Sequence, residues 1–130
     1  MTKNKKVVFD TYAWIELFHG TEKGKVVLSY VEESNGLTPI IVLAELSAYF
    51  DRKKIQPEER FAYLEVKTTL VDFSPGIAKQ AGKTRQKMRQ DRPNFGLADA
   101  IIFETARSYG AELITGDPHF KGLSNVIFLE

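Results

Sequence analysis

Short apolar runs and stretches of helical spacing alternate along this chain. Val7 to Phe9, apolar between Lys6 and Asp10, predicts a buried strand, and Thr11 to Phe18 predicts one or two helical turns ending near Gly20. Val26, Val27, Tyr30 and Val31 recur at helical spacing, which predicts a helix over Gly24–Ser34 with Asn35-Gly36 as its stop. Leu37 and Thr38 make a brief second strand, and Pro39 suits the start of a very apolar helix over Ile40–Arg52. Pro57, Glu58 and Glu59 favour a helix start through fixed φ and the macrodipole, so a helix is expected over Pro57–Leu70, leading into a strand at Val71–Phe73. Ser74-Pro75 opens a helix reaching about Gln90, and Pro93 and Asn94 make Asp91–Phe95 a loop. Gly96–Tyr109 is an apolar helix closed by Gly110. Glu112–Thr115 then reads as a strand, Gly116-Asp117-Pro118 as a turn, and Val126–Leu129 as a last strand.

Strands separated by helices predict an α/β fold: a three-layer α/β/α sandwich around a short, largely parallel sheet of four or five strands, with right-handed crossovers. Sheets of this kind bind ligands at the carboxyl ends of their strands. A chain of 130 residues buries one core rather than two, so residues 1–130 are expected to form a single domain. With 43% hydrophobic and 27% charged residues the composition is globular, which excludes a disordered tail. The absence of cysteine excludes disulfides, thiolate metal sites and cysteine nucleophiles, leaving oxygen ligands and two histidines. The basic MTKNKK start is followed by an apolar stretch broken by Asp10 and Glu16, which cannot serve as a signal-peptide core, and no apolar run approaches the roughly 20 residues of a membrane span. A cytoplasmic protein that does not engage membranes is expected. The net charge of +1 argues neither for nor against a nucleic-acid partner.

The candidate chemistry lies in four acids. Asp10 and Asp117 stand at the carboxyl ends of two strands and face one edge of the sheet; Asp99 and Glu45 sit inside the apolar helical segments LADAIIF and IIVLAEL. A carboxylate in apolar surroundings is costly unless it has a partner. Each acid also has a plain structural reading: Asp10 as a helix cap, Asp117 as a turn residue before Pro118, Asp99 as a first-turn acid on the helix dipole, and Glu45 as the partner of a buried Arg or Lys. Taken together, four carboxylates from separate parts of the chain can converge on one cleft, where they repel one another until a cation or protons neutralise them. Mg²⁺ suits such a site because it prefers oxygen ligands and is held by carboxylates together with substrate phosphates. Phosphodiester hydrolysis is the chemistry a metal so placed supports.

The segments VVFDTYAWIELFHG, IIVLAELS, GLADAIIFETA and LITGDPHF resemble, in order, the four acidic motifs of PIN domains, and the chain is most similar to the small prokaryotic PIN proteins that include the VapC toxins. The resemblance spans nearly the whole chain. It implies a PIN-like fold, Mg²⁺- or Mn²⁺-dependent endonuclease activity on RNA, an antitoxin partner and a homodimer. Position by position, Asp10, Glu45, Asp99 and Asp117 match the family's four acids, while Thr11 and Thr115 match the supporting hydroxyl residues beside the first and last; as alternatives, Thr11 is a helix cap and Thr115 a strand residue.

From Lys79 to Arg92 the chain carries Lys79, Lys83, Arg85, Lys87, Arg89 and Arg92 against Asp91 alone, a balance of six minus one, or +5. This patch precedes the segment bearing Asp99 and reads either as a sequence-independent RNA-backbone contact or as a solvated helix face. Lys3, Lys5 and Lys6 would add to its field. Tyr12, Trp14 and Phe18 are expected in the core or a dimer interface rather than as base-stacking surfaces, His119, close to Asp117, reads as a surface turn with substrate contact as the alternative, and His19 carries no signal. A competing reading is a PIN-fold RNA- or protein-binding module without independent nuclease activity. An aspartate-nucleophile phosphatase would want a second acid where Tyr12 stands, and a flap-type DNA nuclease would need larger DNA-gripping insertions than this chain has room for.

Overall fold

The computed structural model describes residues 5–130; Lys3 lies outside the described residues. The order of elements is β1 (Lys6–Phe9), α1 (Thr11–His19), α2 (Glu22–Glu33), β2 (Asn35–Pro39), α3 (Ile40–Lys53), α4 (Glu58–Lys67), β3 (Thr69–Val71), α5 (Pro75–Met88), α6 (Leu97–Ser108), β4 (Glu112–Thr115), a 3₁₀ turn (Pro118–Phe120) and β5 (Val126–Phe128). The strands form one five-stranded sheet in the order β3-β2-β1-β4-β5. Every pairing is parallel, where the sequence predicted a largely parallel sheet. Because β1 to β3 step one way across the sheet and β3 to β4 returns the other way, the right-handed crossover rule puts α1 to α4 on one face and α5 and α6 on the other, the three layers expected.

Strands β1 and β4 are buried on both faces, as parallel sheets covered by helices require: Val7, Val8, Phe9, Leu113 and Ile114 are all fully buried. Trp14 joins this core, stacked on Phe18 at 5.6 Å between ring centroids, as expected for both. A buried polar chain ties the layers together. The Trp14 indole N–H donates to the Thr38 hydroxyl (3.2 Å), which lies 2.7 Å from the Thr68 hydroxyl, and Thr68 in turn donates to the Leu64 carbonyl (3.0 Å).

That chain accounts for one difference from the sequence reading. Helix α4 stops at Lys67 rather than Leu70, and β3 is Thr69–Val71 rather than Val71–Phe73. Thr68 leaves the helix in extended conformation to place its hydroxyl between Leu64 and Thr38, which sets Thr69 opposite Leu37. Glycine produced two further differences. Helix α2 begins at Glu22, capped by Thr21, and Gly24 lies within it because a Cβ there would collide with the Glu16 carbonyl. Gly36, read as a helix stop, is instead a residue of β2 packed against Phe9 and Thr68.

A candidate metal and active site at the sheet's switch point

Strands β1 and β4 are neighbours whose onward connections leave in opposite directions, toward β2 and toward β5. A crevice opens at the carboxyl ends of two strands so arranged. Asp10 follows β1 and Asp117 stands two residues past β4; since Phe9 pairs with Ile114, Asp10 is level with Thr115. Glu45 comes from α3 and Asp99 from the first turn of α6. The four acids line one cleft of about 230 Å³ with Thr11, Tyr12, Ile15 and Ile102.

Three of the four carboxylates, Asp10, Asp99 and Asp117, do locally what their plain readings anticipated, each accepting a backbone N–H with one oxygen. Asp10 Oδ1 caps α1 by accepting the Ala13 N–H (2.8 Å), Asp99 Oδ2 accepts the Gly96 N–H (2.8 Å), and Asp117 Oδ1 accepts the His119 N–H (2.9 Å). Glu45 differs from its plain reading, since Oε1 takes the Thr11 hydroxyl (2.5 Å) and no buried Arg or Lys meets it among the described residues. The second oxygens of Glu45, Asp99 and Asp117 carry no hydrogen-bond donor among the described residues. Thr115, fully buried, accepts the Asp117 N–H through its hydroxyl (2.9 Å) and so fixes the turn that presents Asp117. Gly116 is required there because a Cβ would run into the Tyr12 ring, which lines the cleft rather than the core proper.

Asp10 is 3% exposed. Burial pushes its carboxyl up to about 7 against the pull of the Thr115 hydroxyl and the Ala13 N–H, and the charges of Asp117 and Glu45 add to the rise. Burial likewise raises Glu45, opposed by the Thr11 hydroxyl and reinforced by Asp99 and Asp117. Burial raises Asp99 too, opposed by the Gly96 N–H and by His119, with Asp117 adding to it. Among the described residues the sole basic side chain in ion-pair contact with the cluster is His119, whose Nδ1 lies 2.9 Å from Asp99 Oδ2 and 3.5 Å from Asp117 Oδ1. An excess of buried carboxylate with no lysine or arginine to balance it, and with free oxygen lone pairs, fits a divalent cation of the Mg²⁺ or Mn²⁺ type.

His119, read from sequence as a surface turn, is therefore a member of the cluster: one ligand atom each from Asp99, Asp117 and His119 lie within 4.8 Å of one another. Its signal was spacing, two residues after an acid and behind a proline that starts a 3₁₀ turn. The basic patch divides. Lys79, Lys83 and Lys87 follow one another every four residues along the exposed side of α5, whose buried side carries Ile77, Ala81 and Thr84. Arg89 and Arg92 hold the site's backbone. Arg89 Nε donates to the Phe95 carbonyl (2.8 Å) just before Gly96, and Arg92 donates to the carbonyls of His119 (3.0 Å) and Lys121 (2.6 Å). Lys5 is engaged in an ion pair with Glu112.

The PIN domain family model matches residues 7–125. A search of the curated proteins finds no match. Among solved structures, the chain is similar to a toxin–antitoxin complex from Klebsiella pneumoniae at 26% identity, with 95% of this chain and 98% of that chain covered and a TM-score of 0.78. It is also similar to VapBC2 from Rickettsia felis bound to a DNA fragment from its promoter (21% identity, 95% and 96% covered, TM-score 0.70). Mycobacterium tuberculosis VapC20, a sarcin–ricin loop cleaving toxin, shares the fold at 17% identity, with 91% and 95% covered and a TM-score of 0.70. With its acidic cleft at the switch point of a five-stranded parallel sheet and a family match from residue 7 to residue 125, the chain belongs to the PIN domain family.

Proposed function

We propose that this protein is a cytoplasmic Mg²⁺- or Mn²⁺-dependent endoribonuclease, the toxin of a toxin–antitoxin pair, built as one PIN domain over residues 1–130. The observation that carries the proposal is the convergence of Asp10, Glu45, Asp99 and Asp117 in one cleft without a lysine or arginine to neutralise them. Asp10, Asp99 and Asp117 would hold the metal; Glu45 ligates it or orients the attacking water. When bound, the metal activates a water and stabilises charge on the departing oxygen. Thr11 keeps Glu45 aimed into the cleft, and Thr115 sets the turn that presents Asp117. Burial raises the Glu45 carboxyl above its ordinary value, opposed by the Thr11 hydroxyl. Water oxygen bonds to phosphorus, the bond from phosphorus to the 3′ oxygen breaks, and the products are a 5′-phosphate and a 3′-hydroxyl.

RNA is the proposed substrate, its backbone lying along Lys79, Lys83 and Lys87 on the exposed side of α5 with half-buried Arg85 off that face, and with the cationic heads of Arg89 and Arg92 bracing the loop beside the cleft. No helix among the described residues is long and apolar enough to cross a membrane. An antitoxin partner is proposed on the similarity to toxin–antitoxin complexes, and the groove of Leu17, Phe18, Tyr63, Glu59 and Arg60 between α1 and α4 offers it a foothold outside the acidic cleft. A homodimer belongs to the same proposal and is checked by light scattering.

The test is cleavage of a mixed-sequence RNA panel with Mg²⁺ and with Mn²⁺, set beside Asp99→Asn and an EDTA control. Cleavage lost in both controls, leaving 5′-phosphates, is expected. If folded, metal-loaded protein cuts nothing, a binding module becomes the better reading; a 2′,3′-cyclic phosphate product would sink the water mechanism alone.

A further inference from the structure

We propose that His119 is itself a metal ligand, giving the cleft a mixed carboxylate–imidazole donor set that favours Mn²⁺ over Mg²⁺. The inference rests on the metal-site reading above and goes beyond it by naming a nitrogen donor and the selectivity it confers. Nδ1 of His119 is the ring atom that faces the cluster, 2.9 Å from Asp99 Oδ2 and 3.5 Å from Asp117 Oδ1. One ligand atom from each of the three residues falls within 4.8 Å of the others, close enough for a single ion to touch all three. Asp10, only 3% exposed and hydrogen-bonded to the Ala13 N–H, lines the same cleft with no basic side chain to neutralise it.

The position of His119 is fixed from both sides. Its own N–H donates to Asp117 Oδ1 (2.9 Å) and its carbonyl accepts from Arg92 Nε (3.0 Å), which fixes the His119 backbone beside the acids, while the ring contacts Asp99 Oδ2 through Nδ1. In the Nε2–H tautomer the Nδ1 lone pair faces Asp99 Oδ2 and Asp117 Oδ1, and a cation seated among these three atoms would take the place of the proton that otherwise bridges Nδ1 and Asp99. Mg²⁺ is a hard ion that prefers oxygen donors throughout, whereas later divalent ions accept imidazole readily and affinity for a nitrogen-containing site rises along the series after Mn²⁺. An imidazole in the first coordination sphere therefore separates Mn²⁺ from Mg²⁺, which a wholly carboxylate site would not do as strongly. The other histidine does not compete: His19 closes α1, about 12 Å of helix from Thr11 at ~1.5 Å per residue, and pairs with Tyr49 Oη at 2.7 Å.

The experiment is pulsed electron paramagnetic resonance on Mn²⁺ bound to the whole protein, with Mn²⁺ and Mg²⁺ affinities measured by titration of the same samples. The expected result is modulation from one directly bound ¹⁴N in the wild type, converted to the ¹⁵N pattern by ¹⁵N-histidine labelling and lost in His119→Asn. The variant should bind Mn²⁺ at least about tenfold more weakly, a loss that a mere supporting partner could also cause, so the nitrogen modulation identifies the ligand, while Mg²⁺ affinity changes much less. Bound Mn²⁺ without ¹⁴N modulation, or modulation that persists in His119→Asn, overturns the assignment of His119 and leaves the acidic metal site standing. The labelling experiment decides the matter even if the variant does not fold. Failure to bind Mn²⁺ at all would overturn the metal site along with it.

Discussion

Replacing Asp10 by Asn should stabilise the metal-free protein while disabling its site. Asn keeps a side-chain oxygen to accept the Ala13 N–H and is as good a helix cap as Asp, so α1 loses nothing. What changes is the charge. Burial and the neighbouring carboxylates hold Asp10 up at about 7 in the folded protein, above its ordinary 3.8. A carboxyl raised on folding contributes stability below its unfolded value and loses it as pH rises through the folded one. Between about pH 4 and 7 the metal-free fold should therefore weaken by up to about 1.4 kcal/mol per pH unit, an integrated loss on the order of 4 kcal/mol above pH 7. Asn escapes that loss. Discounting for relaxation and water entry, about 2 kcal/mol at pH 8, or roughly 6–12 °C in Tm for a chain of this size, is the expected gain. Urea unfolding in EDTA at pH 5 and pH 8 measures it, with the gain shrinking at the lower pH. Saturating Mn²⁺ should reverse the order, because only the wild type gains binding free energy, about 2.7 kcal/mol at a hundredfold excess over Kd. Wild-type stability that is flat from pH 5 to 8, or a variant less stable at pH 8 in EDTA, would refute the reasoning.

Arg92→Ala removes a charged donor from the carbonyls of His119 and Lys121; a loss of about 1–3 kcal/mol in urea melts and reduced RNA cleavage are expected, only partly restored by Lys, which cannot span both carbonyls. Trp14→Phe leaves the Thr38–Thr68 pair without its indole donor and should lose about 1–3 kcal/mol with little effect on metal affinity. Changing Lys79, Lys83 and Lys87 together to Ala should weaken RNA binding across all sequences and flatten the slope of log K against log salt by about 2, at ~0.7 per phosphate contact; an unchanged slope would remove α5 from the RNA path. Gly116→Ala should lower both stability and cleavage, since its Cβ meets the Tyr12 ring; wild-type melting and activity would show that Tyr12 moves aside freely.

The strands and the acids that end them were legible because both obey short-range rules: an apolar run of parallel-sheet type, then a capping residue. Asp10 and Asp117 were found that way, and Glu45 and Asp99 by the anomaly of a charge among apolar neighbours. Thr68 was not legible as a helix end, because what draws it out of α4 is a hydroxyl thirty positions away in sequence, on Thr38. Gly24 and Gly36 misled for a related reason. Each is glycine because another element passes close by, the Glu16 carbonyl for one and Phe9 for the other, and a sequence pattern records the glycine but not the neighbour. His119 shows the same limit within the site. Its ring joins the cluster only after a 3₁₀ turn from β4 meets the start of α6, a contact that also turns Arg92 from a patch residue into a brace.

The most direct test of the account is single-turnover RNA cleavage, with saturating Mn²⁺, by wild type and by Asp10→Asn, Glu45→Gln, Asp99→Asn and Asp117→Asn, each shown folded by circular dichroism. Every one of the four should fall by at least about a hundredfold, the loss expected when a group stabilising the transition state is removed. A folded variant of any of the four acids that cuts at the wild-type rate would contradict a shared metal site at the β1–β4 crevice.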